Sequence, residues 1–84
     1  MKLRIYNIIN FSEESYYNVE DLSDAVKTID DLASAQLKNE DITDNCFFLE
    51  IFNEDNEWEN WYNEEGLDIM SYELVDGVLK LIEE

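Results

Sequence analysis

The sequence predicts a small α+β domain, in which one amphipathic helix packs on one face of a small antiparallel sheet, in the order β-α-β-β-β-β. Three observations support this fold class. One segment repeats apolar residues every three or four positions, several short segments alternate at period two, and turns rich in Asn, Asp and Gly separate those short segments. Because 84 residues suffice for only one core, we expect residues 1–84 to form a single domain.

The first strand is predicted over residues 2–11. Its apolar face at period two consists of Leu3, Ile5, Ile9 and Phe11. The opposite face is mostly polar and consists of Lys2, Arg4, Tyr6, Ile8 and Asn10. Since Ile8 interrupts that polar pattern, the strand is expected to be central or half covered on its second face. Residues 12–18 are polar and are expected to form a loop.

Helical periodicity follows that loop. Asn18 is the expected N-cap, and Glu20 and Asp21 then lie in the first turn, where the helix dipole favours negative charge. Apolar residues recur at helical spacing: Val19, Leu22, Val26, Ile29, Ala33 and Leu37. This spacing predicts an amphipathic helix of about five turns that ends near Lys38 and Asn39.

Two hairpins are predicted to complete the sheet. The first joins segments 46–52 and 57–63 through a turn at 53–56 that is rich in Asn and acidic residues. Residues 67–75 are expected to be extended and to enter the second hairpin through Asp76-Gly77, which is a strong hairpin signal. Its predicted register pairs Val75 with Val78, Leu74 with Leu79, and Glu73 with Lys80. A terminal helix is the alternative, although Gly77 would cost it about 1 kcal/mol relative to Ala.

Four aromatic residues of the first hairpin are Phe47, Phe48, Phe52 and Trp58. Most of these four are expected to lie in the core. Trp61 and Tyr62 are then the better candidates for an exposed interface, because Trp and Tyr are frequent hot-spot residues. Cys46 is the only cysteine, and acidic neighbours disfavour a reactive thiolate. We therefore expect Cys46 to be a small buried hydrophobic residue.

Charge is the most unusual feature of the composition. Twenty-two acidic and five basic residues give a net charge of −17, whereas a small domain usually carries a magnitude of about 2–8. Thirteen of the acids lie within residues 39–79, which contain no Lys or Arg. Such a surface repels nucleic acid and anionic lipid, so we expect a basic protein as partner and no direct binding to nucleic acid or membrane. No apolar run is typical of a signal peptide or a membrane span, so a cytoplasmic protein is expected.

Histidine and the recognisable motifs of common enzyme and metal sites are missing. The chain has no histidine, which removes the commonest general base and a common metal ligand. Gly66 and Gly77 are isolated, so no glycine-rich phosphate loop exists. The acidic turn at 53–57 lacks the residue order of a calcium loop. We therefore expect no enzymatic activity, no cofactor and no dedicated metal site.

Carboxylates arranged in rows could instead imitate a polynucleotide backbone. Alternate strand residues such as Glu57 and Glu59 are about 6.6 Å apart, and proteins that bind DNA carry Lys and Arg matched to its closely spaced phosphates. Small size, extreme acidity, the lack of His and Pro, and mixed α+β patterning resemble the phage-encoded DNA-mimic inhibitors. This class includes anti-CRISPR proteins, anti-restriction proteins and uracil-DNA glycosylase inhibitors. The resemblance is one of class and carries over no individual residue, and it implies a stoichiometric inhibitor that blocks the nucleic-acid site of a host defence or repair enzyme.

The candidate partner-binding residues are acids of the 39–79 stretch together with two aromatic residues: Glu40, Asp41, Asp44, Glu50, Glu54, Asp55, Glu57, Glu59, Trp61, Tyr62, Glu64, Glu65 and Asp68. Two other interpretations remain open. The first is an acidic protein-interaction module, such as an immunity protein against a basic nuclease toxin or a small regulator of RNA polymerase. The second is salt adaptation without any partner.

Overall fold

The computed structural model, which describes residues 2–82, contains a four-stranded antiparallel sheet with the order β2-β1-β3-β4 and a separate two-stranded sheet, β5-β6. One α-helix packs on one face of the four-stranded sheet within these residues. The elements in chain order are β1 (Leu3–Ile9), β2 (Glu13–Val19), α1 (Leu22–Leu37), β3 (Asn45–Phe52), β4 (Trp58–Asn60), a short 3-10 helix (Ile69–Ser71), β5 (Tyr72–Val75) and β6 (Val78–Leu81). The predicted α+β class, with a helix on an antiparallel sheet, is confirmed.

The segment that was expected to be a loop at residues 12–18 is largely strand β2, so that expectation is wrong. β2 pairs with β1 along its whole length, from Leu3 opposite Val19 to Ile9 opposite Glu13. Asn10 and Phe11 form the connection with positive φ angles of 52° and 63°. The physical reason is that β2 lies at the sheet edge, where one neighbouring strand suffices and polar side chains remain in solvent. Phe11 therefore leaves the predicted core face and is 78% exposed in the turn.

Helix α1 begins later than expected. Asn18 cannot be its N-cap because Asn18 pairs with Arg4 in the sheet. The N-cap is Asp21, whose Oδ1 accepts a hydrogen bond of 2.8 Å from the backbone N–H of Asp24. Asp24 in turn accepts a bond of 2.9 Å from the backbone N–H of Glu20, so two free N–H groups are satisfied at the helix start. The predicted end near Lys38 is confirmed, since Lys38 is the C-cap.

The core lies between α1 and the face of the four-stranded sheet that α1 covers. Its buried apolar side chains come from β1, β2, α1, β3 and the 3-10 helix: Leu3, Ile5, Val19, Ala25, Val26, Ile29, Phe47, Leu49 and Ile69. Removing such side chains from water is the main stabilising contribution in a domain of this size. Leu37, which was placed on the apolar stripe of the helix, is 88% exposed at its last turn.

A short polar network is buried beside this core. Gln36 Nε2 donates to Asn7 Oδ1 at 2.6 Å, and Asn45 Nδ2 donates to Gln36 Oε1 at 2.9 Å. Asn7 Nδ2 donates to the carbonyl oxygen of Cys46 at 3.1 Å. Asn7 is fully buried, so these bonds are needed to offset the cost of removing its amide from water. The network joins the end of α1 to the adjacent ends of β1 and β3.

The hairpin at Asp76-Gly77 has the predicted register, with Val75 opposite Val78 and Glu73 opposite Lys80. Both turn residues have positive φ angles, 52° and 79°, as a type I′ turn requires. The alternative of a terminal helix is therefore wrong for residues 72–81. The preceding segment is not extended throughout, because the 3-10 helix at Ile69–Ser71 inserts Ile69 into the core before β5 begins.

The first hairpin is also confirmed, with Phe52 opposite Trp58. Its second strand, β4, is shorter than the predicted 57–63 and ends at Asn60. Beyond that point the chain turns inward, and the backbone N–H of Trp61 donates to the carbonyl oxygen of Leu49 at 2.8 Å. Within residues 2–82, no helix combines the length and the apolar character that crossing a membrane requires.

Candidate protein-interaction surfaces

The acidic connector, defined as residues 40–44, is fastened across one end of the sheet by Asn10. The Oδ1 atom of Asn10 accepts hydrogen bonds from the backbone N–H groups of Thr43 at 2.8 Å and Asp44 at 3.2 Å. Its Nδ2 donates to the carbonyl oxygen of Asp41 at 2.8 Å, and its own backbone N–H donates to the carbonyl oxygen of Asp44 at 2.8 Å. The carboxylates of Glu40, Asp41 and Asp44 are therefore carried by a backbone with a defined conformation.

A second set of acids lies on the turn between β3 and β4, which we call the Asn53 turn (residues 53–57). Asn53 Oδ1 accepts from the backbone N–H groups of Asp55 at 2.9 Å and Glu57 at 3.0 Å. The backbone N–H of Asn53 donates to the carbonyl oxygen of Glu57 at 2.8 Å, and Asn56 has a φ of 60°. Asn tolerates this left-handed conformation better than most residues. Glu54 and Asp55 are thereby displayed at the exposed tip.

The same turn recurs ten residues later at residues 63–67, the Asn63 turn. Asn63 Oδ1 accepts from the backbone N–H groups of Glu65 at 2.8 Å and Leu67 at 2.9 Å. The backbone N–H of Asn63 donates to the carbonyl oxygen of Leu67 at 2.9 Å, and Gly66 supplies the positive φ of 81°. Glu64 and Glu65 occupy the positions equivalent to those of the acids in the Asn53 turn. The sequence signal is Asn, two acids, and then Asn or Gly.

These acids do not form a single row. The acidic connector leads into β3, and the Asn53 turn follows it, so the eight residues of β3 separate the two acidic groups by roughly 25 Å. Glu59 lies in β4 opposite Ile51. Asp68 is the N-cap of the 3-10 helix and accepts a bond of 3.1 Å from the backbone N–H of Met70.

The remaining candidates occupy different environments. Glu50 is only partly exposed and accepts a bond of 2.7 Å from Arg4 Nε, so its charge is paired within the protein. Trp61 packs against the core, with its ring centroid 6.1 Å from that of Tyr72. Tyr62 is 55% exposed. Of the two aromatic candidates, Tyr62 is the one at the surface.

Sequence reasoning missed a second surface, on the side of the four-stranded sheet opposite α1. We call it the open face, and its aromatic side chains are Tyr6, Tyr16, Phe48, Phe52 and Trp58. The register places Tyr6 between Tyr16 and Phe48. The rings of Tyr6 and Tyr16 stack with centroids 5.0 Å apart, and those of Phe52 and Trp58 meet edge to face at 5.2 Å. The aromatic side chains therefore extend across all four strands.

Arg4 lies in the middle of the open face. Its guanidinium carbon is 4.1 Å from the ring centroid of Tyr16 and 4.1 Å from that of Trp58. With Glu50 bonded to its Nε, the guanidinium is stacked between two rings and its charge is balanced. Lys2 Nζ lies 5.3 Å from the ring centroid of Phe52.

Several expectations for this region are wrong. Most of the four hairpin aromatics were expected in the core, but Phe48 is exposed on the open face, and Phe52 and Trp58 are half-buried on that same face. Cys46, which was expected to be buried, is exposed there as well. Phe47 alone of the four hairpin aromatics is a core residue. The reason is the strand period of two, since only one face of β3 can meet the helix.

A hydrogen bond at the edge of the open face changes the acidity of one tyrosine. Tyr6 Oη donates to Glu14 Oε1 at 2.6 Å. This bond to the Glu14 carboxylate is the main cause that raises the pKa of Tyr6 to about 12, and partial desolvation and the nearby negative charge add to it. The neutral phenol is therefore favoured well above the ordinary tyrosine pKa.

Among the residues that the structure describes, no group of three or more His, Cys, Asp or Glu side chains is placed to hold a metal ion. Comparison with protein-family models, curated proteins and solved structures finds no match to this chain. Conclusions about function therefore depend on the acidic loops and the open face themselves.

Proposed function

We propose that this protein is a stoichiometric inhibitor that acts as a nucleic-acid mimic and occupies the basic nucleic-acid-binding site of a host defence or repair enzyme. A CRISPR effector, a restriction enzyme and a DNA glycosylase are examples of such targets. The observation that carries the proposal is a net charge of −17 together with eight carboxylates displayed on three loops, each of which is fixed by an asparagine side chain. The proposed activity is binding, without catalysis.

Fixed carboxylates suit this role for two physical reasons. Charges that are already held in place lose less conformational entropy on binding than charges on a flexible tail. A strongly negative surface also accelerates the encounter with a cationic groove, an effect that weakens as salt screens the attraction. Asn10, Asn53 and Asn63 supply the side-chain hydrogen bonds that fix the acidic loops.

Competition with DNA tests the proposal. The protein is titrated into a purified basic nucleic-acid enzyme bound to fluorescent DNA, at several salt concentrations, for a panel that contains one enzyme of each class named above. We expect at least one enzyme to release its DNA at a one-to-one stoichiometry, with a Kd that rises steeply with salt. A bound complex that leaves DNA in place, or a Kd independent of salt, would contradict the mimic.

Matched charge variants test the location of the interface. Glu54→Gln with Asp55→Asn removes two charges from the tip of the Asn53 turn, and Asp30→Asn with Asp31→Asn removes two from the helix. All four side chains are exposed, so neither pair should disturb the fold. We expect the turn pair to weaken DNA displacement more than the helix pair. Equal effects would mean that net charge alone governs binding, and a larger effect of the helix pair would place the interface on α1.

The open face favours a second candidate function, an acidic protein-interaction module such as an immunity protein against a basic nuclease toxin or a small regulator of RNA polymerase. Exposed aromatic residues are typical hot spots of protein interfaces, and imitation of phosphates alone would not require them. In this case the target would be bound outside its nucleic-acid site. The competition experiment separates the two functions, because such a module forms a complex that still holds DNA.

A further inference from the structure

We infer that the open face is a docking surface for arginine side chains of a basic protein partner. The inference depends on the proposed function for the basic character of the partner, and it holds for a mimic and for an interaction module alike. In this interface Tyr16, Phe48 and Trp58 form the centre, and the acidic loops form the periphery.

The shape of the open face fits a protein interface. Strand β1 has seven residues and the sheet has four strands, which gives an area of about 23 Å by about 14 Å from standard strand spacings. Contiguous apolar patches of about 300–600 Å² are often functional in monomeric proteins. The acidic connector and the Asn53 turn lie beyond opposite ends of β3. The centre of the open face is aromatic and contains one internally paired charge, Arg4 with Glu50, and a less charged centre between charged margins is the usual anatomy of an interface.

The net negative charge of the protein determines which kind of partner can bind the open face. A second copy of this chain would bring another −17 against the first, and nucleic acid would be repelled in the same way. The basic residues of the open face do not offset this, because Arg4 is paired with Glu50 and Lys2 is the one other cation there among residues 2–82. A cationic protein surface is the occupant that both the acidic ends and the aromatic centre attract.

The contacts of Arg4 show why arginine is favoured over lysine. Its guanidinium already stacks at 4.1 Å on Tyr16 and on Trp58 while its Nε bonds Glu50. Tyr16 and Phe48 remain 49% and 37% exposed, so ring surface is left for further stacking. A planar guanidinium stacks on aromatic rings and is more weakly hydrated than an ammonium group, so it loses less on leaving water.

Peptides of equal charge test the inference directly. Oligo-arginine and oligo-lysine of the same length are titrated into the intact protein by calorimetry, and the two tryptophan indole N–H signals are followed by NMR. Oligo-arginine should bind about three- to tenfold more tightly, as expected for one or two exposed cation–π contacts. The signal of Trp58 should shift more with oligo-arginine than with oligo-lysine, whereas that of the core-packed Trp61 should change little.

Two double variants, one on the open face and one on the β5-β6 hairpin as its control, test which surface binds arginine. Tyr16→Thr with Phe48→Thr keeps strand-forming residues on the open face, and Val75→Thr with Val78→Thr removes exposed apolar surface from the β5-β6 hairpin instead. The first pair should abolish the preference for arginine and the second should retain it. Equal affinity of the wild type for both peptides, or a preference that survives the first pair, would overturn the inference. If the first pair unfolds, the Trp58 and Trp61 signals of the wild type still decide it.

These outcomes are independent of the competition with DNA. Equal affinity of the wild type for oligo-arginine and oligo-lysine, alongside intact DNA displacement, would reject the docking surface and leave the mimic standing. Arginine-selective binding without displacement of DNA from any enzyme of the panel would support the docking surface and reject the mimic.

Discussion

Substitution of Asn10 by Gly tests whether the acidic connector must be rigid, because it leaves the net charge unchanged. The four side-chain hydrogen bonds that would be lost join Asn10 to Asp41, Asp44 and, twice, Thr43. Glycine adopts the native φ of 52° without strain. At about 0.5–1 kcal/mol for each of the four exposed bonds, we expect the free energy of unfolding to fall by about 2–4 kcal/mol.

The functional consequence should be comparable in free energy to the loss of stability. A loosened connector must be reordered when the partner binds, and reordering two backbone residues costs about 2–4 kcal/mol. The Kd for the partner should therefore rise about 30-fold or more. The measurements are urea unfolding, amide hydrogen exchange at Thr43 and Asp44, and displacement of labelled DNA from the target enzyme.

Asn10→Ala is the companion variant, because it removes the same bonds and adds about 1–2 kcal/mol of strain from the left-handed backbone. It should be less stable than Asn10→Gly. The reasoning is refuted if Thr43 and Asp44 exchange faster in Asn10→Gly while the Kd for the partner stays at the wild-type value. In that case the amount of charge would matter and its fixed position would not.

Three further predictions concern the rest of the molecule. Gln36→Leu should lower the free energy of unfolding in urea by about 1–3 kcal/mol, because it removes the donor to the buried Oδ1 of Asn7. Leu37→Gln at the neighbouring exposed position should change it by less than about 0.5 kcal/mol. The pKa of Tyr6 is raised to about 12, so the contribution of its hydrogen bond to stability is complete below about pH 10 and is lost as the pH rises to about 12. Glu14→Gln should lower that pKa, which is followed by the absorbance of tyrosinate. A titration in which all tyrosines ionise together would contradict the hydrogen bond to Glu14. Stability should rise as salt increases to about 0.15 M, because screening weakens self-repulsion; unfolding at low ionic strength, with molar salt required for folding, would support salt adaptation instead.

The parts of the fold that the sequence predicts well are those set by local chemistry. Asp76-Gly77 determines both the position and the register of the last hairpin, because few other dipeptides adopt two consecutive positive φ angles. The helix is recognisable from its apolar period, and its inward residues Val26 and Ile29 are in the core as the pattern indicates. The Asn53 turn is likewise visible as a cluster of Asn and acidic residues.

The parts that the sequence does not predict depend on which neighbours each segment meets. β2 contains two acids and two tyrosines, and its pattern is typical of a strand only once β1 is known to lie beside it. The start of the helix moves from Asn18 to Asp21 for the same reason, since Asn18 is held by β1. The identity of the open face could not be inferred either, because alternation shows that β3 has two faces but not which face the helix leaves uncovered.

The separation of the two acidic groups changes what the mimic must imitate. At roughly 25 Å, the acidic connector and the Asn53 turn are as far apart as phosphates about seven base pairs distant in a duplex, since each strand carries one charge per about 3.4 Å. Between them lies the open face, on which Arg4 and Glu50 neutralise each other. Under the proposed function, the protein would therefore imitate two groups of phosphates separated by an aromatic surface, rather than a continuous backbone. Binding should accordingly depend on salt less steeply than a charge of −17 implies, because only the acids near the ends meet cations of the partner, while the aromatic centre contributes an affinity that salt does not screen.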